Sequence, residues 1–189
     1  MKKGILLVGF MLVFTLIGTA QKNQDFIISL TKDTIFGKVY LHDAPKVTFK
    51  HQRKKIQFHP SSIGYFGIYE DGQYQMYKSI KNAKGFAAVV KVLSEGKLKL
   101  YEYKKKYNFQ NPTSSSTYMI GFSDDKLFTL STAYFNAVIK GLIEDEPSIL
   151  TQLATTEYQK IPELVNAYNK LQQEGELVAL NTERIFNEK

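Results

Sequence analysis

The chain has 189 residues, a formal charge of +7, 43% hydrophobic residues and no cysteine. Disulfide staples and thiolate metal sites are therefore excluded, and stability must come from the core alone. The length suits one good hydrophobic core, so a single domain is the default expectation.

Residues 1–20 read as a secretory leader. Lys2 and Lys3 form a short basic region, and Ile5–Ile17 is an apolar run broken only by Gly9 and Thr15. Gly18 and Ala20 place small residues at the positions a signal peptidase reads. Cleavage is expected after Ala20, leaving residues 21–189 in the periplasm or outside the cell with no stable transmembrane segment. A lipoprotein needs a cysteine at that junction, and there is none. Removing Lys2 and Lys3 with the leader lowers the charge from +7 to +5.

The body begins with a β-rich block, residues 25–131. Asp25–Thr31, Ile35–Leu41, Val47–Phe49, Ile56–Phe58 and Ile63–Tyr69 each carry the β-branched and aromatic residues of short strands. In the second, Ile35, Gly37, Val39 and Leu41 fall on one face, and Gly37 points to a bulge or a close backbone approach. Between Phe49 and Ile56 lies His51-Gln-Arg-Lys-Lys55, a positively charged hairpin tip. Asp71-Gly72 is the strongest short hairpin signal, returning into Tyr74–Ile80. Phe86–Leu93 is apolar throughout, and its valines favour strand over helix. Lys97–Tyr107 reads as strand, with a bulge expected between Leu100 and Tyr101. Asn108–Ser116 has loop composition, followed by strands at Tyr118–Phe122 and Leu127–Leu130.

The hydrophobic period then changes to about 3.6 residues. Ser131 or Thr132 can cap a helix bearing Phe135, Ile139 and Leu142 on one face. Glu144-Asp-Glu146 precedes Pro147, the expected start of a second helix reaching Leu153. Pro162 repeats the device for a third helix, with Leu164, Tyr168 and Leu171 in line and a stop near Gly175. Residues 132–175 thus form a helical block, and residues 176–189 a short tail or further helix. The fold class is α+β: an antiparallel, hairpin-rich sheet or partial barrel, then about three helices covering one of its faces. A boundary near Ser131 is the alternative to one domain.

Motifs for chemistry are missing. His42, His51 and His59 show no metal-ligand spacing, and no nucleophile elbow, Walker loop or dinucleotide fingerprint occurs. Asp124-Asp125 and Glu144–Glu146 are acid clusters, better explained by turns and helix starts than by glycosidic catalysis. No catalytic residue, cofactor or metal is assigned. Two basic clusters remain as contact residues for an anionic partner: Arg53, Lys54 and Lys55, and Lys104, Lys105 and Lys106. Export argues against nucleic acid and for an anionic envelope polymer, lipid head group or partner protein. Solvated hairpin tips, or lysines guarding a sheet edge, are the plainer explanation of the same residues.

Several short motifs together resemble small exported β-rich proteins of Bacteroidota. They are Asp33-Thr-Ile-x-Gly-Lys-Val39, Phe58-His-Pro60-x-x-Ile63-x-x-Phe66, Gly96-x-Leu-x-Leu-Tyr101 and Ala167-Tyr-Asn169. The resemblance spans about Asp25 to Leu171. That family has no established activity, so it implies a Gram-negative envelope location and transfers no functional residue. The sequence as a whole reads as an exported, non-enzymatic binding protein. The alternatives are an envelope hydrolase with an unrecognised site and, behind it, a small outer-membrane-associated β protein.

Overall fold

The computed structural model describes residues 24–41, 46–81, 87–104 and 116–187. The expected turn at His42–Pro45, the loop at Asn108–Ser116 up to residue 115, and the whole leader lie outside them. The strands are β1 (Phe26–Ser29), β2 (Thr34–Phe36), β3 (Lys38–Leu41), β4 (Val47–His51), β5 (Lys54–Phe58), β6 (Ile63–Glu70), β7 (Gln73–Lys81), β8 (Ala87–Ser94), β9 (Lys99–Lys104), β10 (Ser116–Ser123) and β11 (Lys126–Thr129). Three helices follow: α1 (Phe135–Leu142), α2 (Pro147–Leu153) and α3 (Ile161–Asn187). Among the described residues the eight-stranded sheet is ordered β11-β10-β9-β8-β7-β6-β1-β2 and is not closed; β3-β4-β5 form a second, three-stranded sheet. The class is α+β, as the sequence indicates.

By packing, the chain divides into two compact units. One contains the described residues up to Ser79 with Ala87–Val89, and the other takes the remaining described residues, Ile80, Lys81 and those from Val90 onward. The division therefore falls within the strands, not at Ser131 where the period changes.

In the first unit, Ile35–Leu41 is two strands rather than one. A Cβ on Gly37 would lie 2.5 Å from both the Lys50 carbonyl oxygen and the Phe49 ring. Only glycine permits that approach, and the chain changes sheets there: β2 pairs with β1, and β3 with β4. The expected common face is consequently lost. Val39 is buried, whereas Ile35 and Leu41 are exposed. The unit's core gathers Ile27, Val39, Val47, Phe49, Ile63, Phe66 and Ile68, one inward residue after another by strand alternation.

Asp25 pins this arrangement. Its carboxylate is 2% exposed, and one oxygen accepts the Val39 N–H at 3.0 Å and meets the Lys38 ammonium at 3.0 Å. The other oxygen accepts the Tyr69 N–H at 2.9 Å, and the Asp25 carbonyl accepts the Gly37 N–H at 2.9 Å. A buried carboxylate is tolerable because its lone pairs are filled by donors. At the far end of β6 the Asp71-Gly72 turn has φ of 50° and 84°, the left-handed pair a tight two-residue hairpin requires.

In the second unit, Leu98, Leu100, Ile120 and Leu130 present an apolar face to Ile139, Ile149, Ile161, Leu164 and Tyr168 of the helical segment. The helices thus cover one face of these strands, as expected from their amphipathic pattern. Tyr101 lies on the opposite face with Ile80 and Val90. Simple alternation accounts for Leu100 and Tyr101, and β9 runs in unbroken register along β10. The bulge sits instead in β8, between Val92 and Ser94.

The caps differ from expectation. Tyr134, not Ser131 or Thr132, is the residue before α1, and no side chain caps that end. The Glu146 carboxylate does not cap α2 either; it accepts the Gln172 side-chain amide at 2.6 Å. On α1 the buried residues are Phe135 and Ile139, with Ile143 just beyond. The third helix does not stop at Gly175 but runs on to Asn187. Nothing lies near a Cβ built on Gly175, and its φ is not left-handed, so the residue lowers helix propensity without ending the helix. Leu171 is 38% exposed, and the buried stripe is Ile161, Leu164, Val165 and Tyr168.

Candidate functional site

The three-stranded sheet concentrates positive charge by register. Lys38 pairs with Lys50 and Lys50 with Lys55, so three lysines stand side by side on one face. In the neighbouring rows of that face lie Tyr40, Thr48 and Gln57. The opposite face is apolar, with Val39, Phe49 and Ile56 in one row and Leu41, Val47 and Phe58 in the next. Strand period two therefore gives this small sheet one cationic side and one greasy side.

Directly opposed Cβ atoms lie about 5 Å apart, and like charges there are destabilising. Lys38 is relieved by Asp25. Among the described residues, Lys50, Arg53, Lys54 and Lys55 make no ion pair, and all four are exposed. The hairpin tip adds backbone strain. Gln52 and Arg53 both have left-handed φ, 46° and 66°, where neither has glycine's freedom. Each such residue costs about 1–2 kcal/mol, and that is the cost of closing a two-residue hairpin turn without glycine.

Of the residues foreseen as anionic contacts, Arg53, Lys54 and Lys55 thus belong to one tip. Lys104 ends β9, opposite Ser116, in the second unit. Lys105 and Lys106 lie outside the described residues. Lys38 and Lys50 were missed from sequence. The register Lys50↔Lys55 follows from a two-residue turn at Gln52-Arg53, but that turn lacks the usual Asn-Gly signature.

Beside the tip, Gln24, Thr34, Phe36, Gly37, Lys50 and His51 help line a shallow cavity of about 470 Å³. The His51 Nδ1 lies 2.8 Å from the Phe36 carbonyl and so carries the proton it donates there. Its ring stacks on Phe49 with an interplanar angle of 8°. Among the described residues no carboxylate lines this cavity. An acid–base pair needs a partner within hydrogen-bond reach, and His51 is given a backbone carbonyl instead. His59 Nδ1 sits at the start of a short 3-10 turn, 2.7 Å from the Ser61 hydroxyl, in a local capping role. His42 lies outside the described residues. Among the described residues no three His, Asp or Glu side chains converge as metal ligands, and no helix is long and apolar enough to cross a membrane.

A second polar cluster lies in the helical unit. The Lys97 ammonium is 3.0 Å from Asp145 and 2.5 Å from the Gln172 side-chain oxygen. It also lies 5.8 Å from the centre of the Tyr168 ring. The Lys97 hydrogen bond holds the Asp145 carboxyl below its usual range, and Asp145 in turn raises the Lys97 ammonium. Burial raises the Tyr168 phenol. Asn169 locks the same turn: its amide donates to Ser94 Oγ at 2.9 Å and to the Leu98 carbonyl at 2.7 Å, and its oxygen accepts the Leu98 N–H at 2.8 Å. A Cβ on Gly96 would collide with the Asn169 side chain at 2.5 Å. This cluster fastens the β8–β9 turn to α3. The acid pair at Asp124-Asp125 is likewise structural at Asp124, which accepts the Tyr101 hydroxyl at 2.7 Å and meets Lys99 at 3.2 Å.

No family model, curated protein or solved structure matches the chain.

Proposed function

We propose that this is an exported, non-enzymatic binding protein whose three-stranded sheet contacts an anionic envelope component or partner. The observation that carries the reading is the Lys50–Lys55 pair beside the Asp25-bound Lys38, extended at the tip by Arg53 and Lys54. Aligned cations cost stability in the free protein, and an anion laid across them removes that repulsion. The leader-like residues 1–20 support an envelope address, Gram-negative by the resemblance noted above. There the abundant polyanions are polymers and head groups rather than nucleic acid.

The test is retention of residues 21–189 on an anionic matrix over a salt series. The wild type should elute late at low salt and early at high salt, because exposed charges are screened within about 10 Å at 0.1 M. Replacing Lys50, Lys54 and Lys55 by glutamine should advance elution and flatten the salt dependence. Unchanged retention of that variant, with its fold verified by circular dichroism, refutes the reading.

A further inference from the structure

We infer that the open edge of β5 accepts an extended acidic segment of a partner polypeptide as a fourth strand of the small sheet. The inference rests on the proposed anionic contact and gives it a mode and a partner class.

Among the described residues the three-stranded sheet ends at β5, and Lys54, Lys55, Ile56 and Gln57 are all exposed. The two-residue turn makes His51 and Lys54 the closing hydrogen-bonded pair of the hairpin. Antiparallel pairs alternate, so Lys54, Ile56 and Phe58 bond inward to β4. Lys55 and Gln57 therefore turn their N–H and C=O groups outward, ready to bond a further strand. Addition of an extended peptide at such an edge gives affinity through the main chain and specificity through alternate side chains.

The side chains define the guest. One facing Lys55 would stand at the end of the lysine row, where a carboxylate is favoured and a cation excluded. One facing Ile56 would extend the row Val39, Phe49, Ile56, where Ile56 is 43% exposed. A guest alternating acidic and apolar residues satisfies both faces together. A basic or all-polar strand satisfies neither, so the same lysines that deter self-association select an acidic guest.

The test uses residues 21–189 and labelled synthetic peptides of about six residues, a typical strand length. One alternates glutamate and valine, one has the same residues in two blocks, and two alternate but are N-methylated at every second residue, one in each phase. Soluble polyglutamate is the mode-independent polyanion. The alternating peptide should bind about tenfold or more tighter than the block isomer, a difference of roughly 1.4 kcal/mol, and N-methylation in one of the two possible phases should abolish the gain. Gln57→Pro removes an outward N–H while leaving every lysine in place; it should lose the alternating peptide and keep polyglutamate. Equal binding of alternating, block and both methylated peptides refutes strand addition while the cationic contact stands. Failure of every peptide and of polyglutamate to bind overturns both. If Gln57→Pro does not fold, the methylated peptides decide alone.

Discussion

Replacing Asp25 by asparagine tests whether a single carboxylate holds the first unit together. The shape is kept, but one of the two acceptor oxygens becomes an NH2 donor. Either the Val39 or the Tyr69 N–H then faces a donor, and the Lys38 ion pair is lost. A hydrogen bond to a charged group contributes about 1.5–3 kcal/mol, and an unmet buried donor costs about 1–3 kcal/mol. The expected loss is therefore about 3 kcal/mol, nearly all of it from the backbone contacts. Lys38 is 55% exposed on its side chain, so Lys38→Met should cost under about 1 kcal/mol. Urea unfolding followed by circular dichroism reads both variants. With a urea slope of about 2 kcal/mol per molar, Asp25→Asn should lower the midpoint by about 1.5 M without changing the slope. A loss below about 1 kcal/mol for Asp25→Asn, or equal losses for the two variants, refutes the assignment of the energy to the buried N–H groups.

Three further outcomes follow from the second unit. Gly96→Ala should cost about 1–3 kcal/mol by driving a methyl into Asn169, and much less in an Asn169→Ala background; a double-mutant cycle with no coupling would contradict the contact. The Asp145 carboxyl is lowered on folding, so its contribution is present above the ordinary carboxylate range and lost as pH falls through its folded value. The Lys97 ammonium is raised, so its contribution is present below the ordinary lysine range and lost as pH rises through its folded value. The stability difference between wild type and Asp145→Asn should therefore be flat across neutral pH and shrink at both ends, and a flat profile throughout would remove the pair. Gly175→Ala should stabilise by up to about 1 kcal/mol, raising the thermal midpoint, because α3 passes through that position with open space around it.

Much of the fold was legible because local signals agreed with tertiary ones. Asp71-Gly72 fixed its hairpin, the valines of Phe86–Leu93 marked a strand, and Pro147 marked the start of α2. The misses at the candidate site and at Gly37 depended on contacts distant in sequence. Gly37 advertised a close approach, but only Asp25, Phe49 and Lys50 reveal that the chain changes sheets there. Gly175 offered a plausible stop, yet a helix ends where its backbone is capped, and here it is not. The tip of the candidate site was visible as the run Arg53-Lys54-Lys55. The row behind it was not, since Lys38 joins Lys50 through a strand register that no local composition specifies.

The small sheet is an excursion between β2 and β6, and this bears on the order of folding. Its strands meet through neighbouring hairpins, closing short loops. By contrast β1 must find β6 across the whole excursion, with Ile27 paired to Phe66. Short loops close at little entropic cost, whereas distant pairings must first overcome chain entropy. The β3–β5 meander is therefore suited to form early and bring the ends of its own insertion together, lowering the entropy of the β1–β6 closure. A cationic surface would then exist on the nascent chain before the large sheet has been zipped.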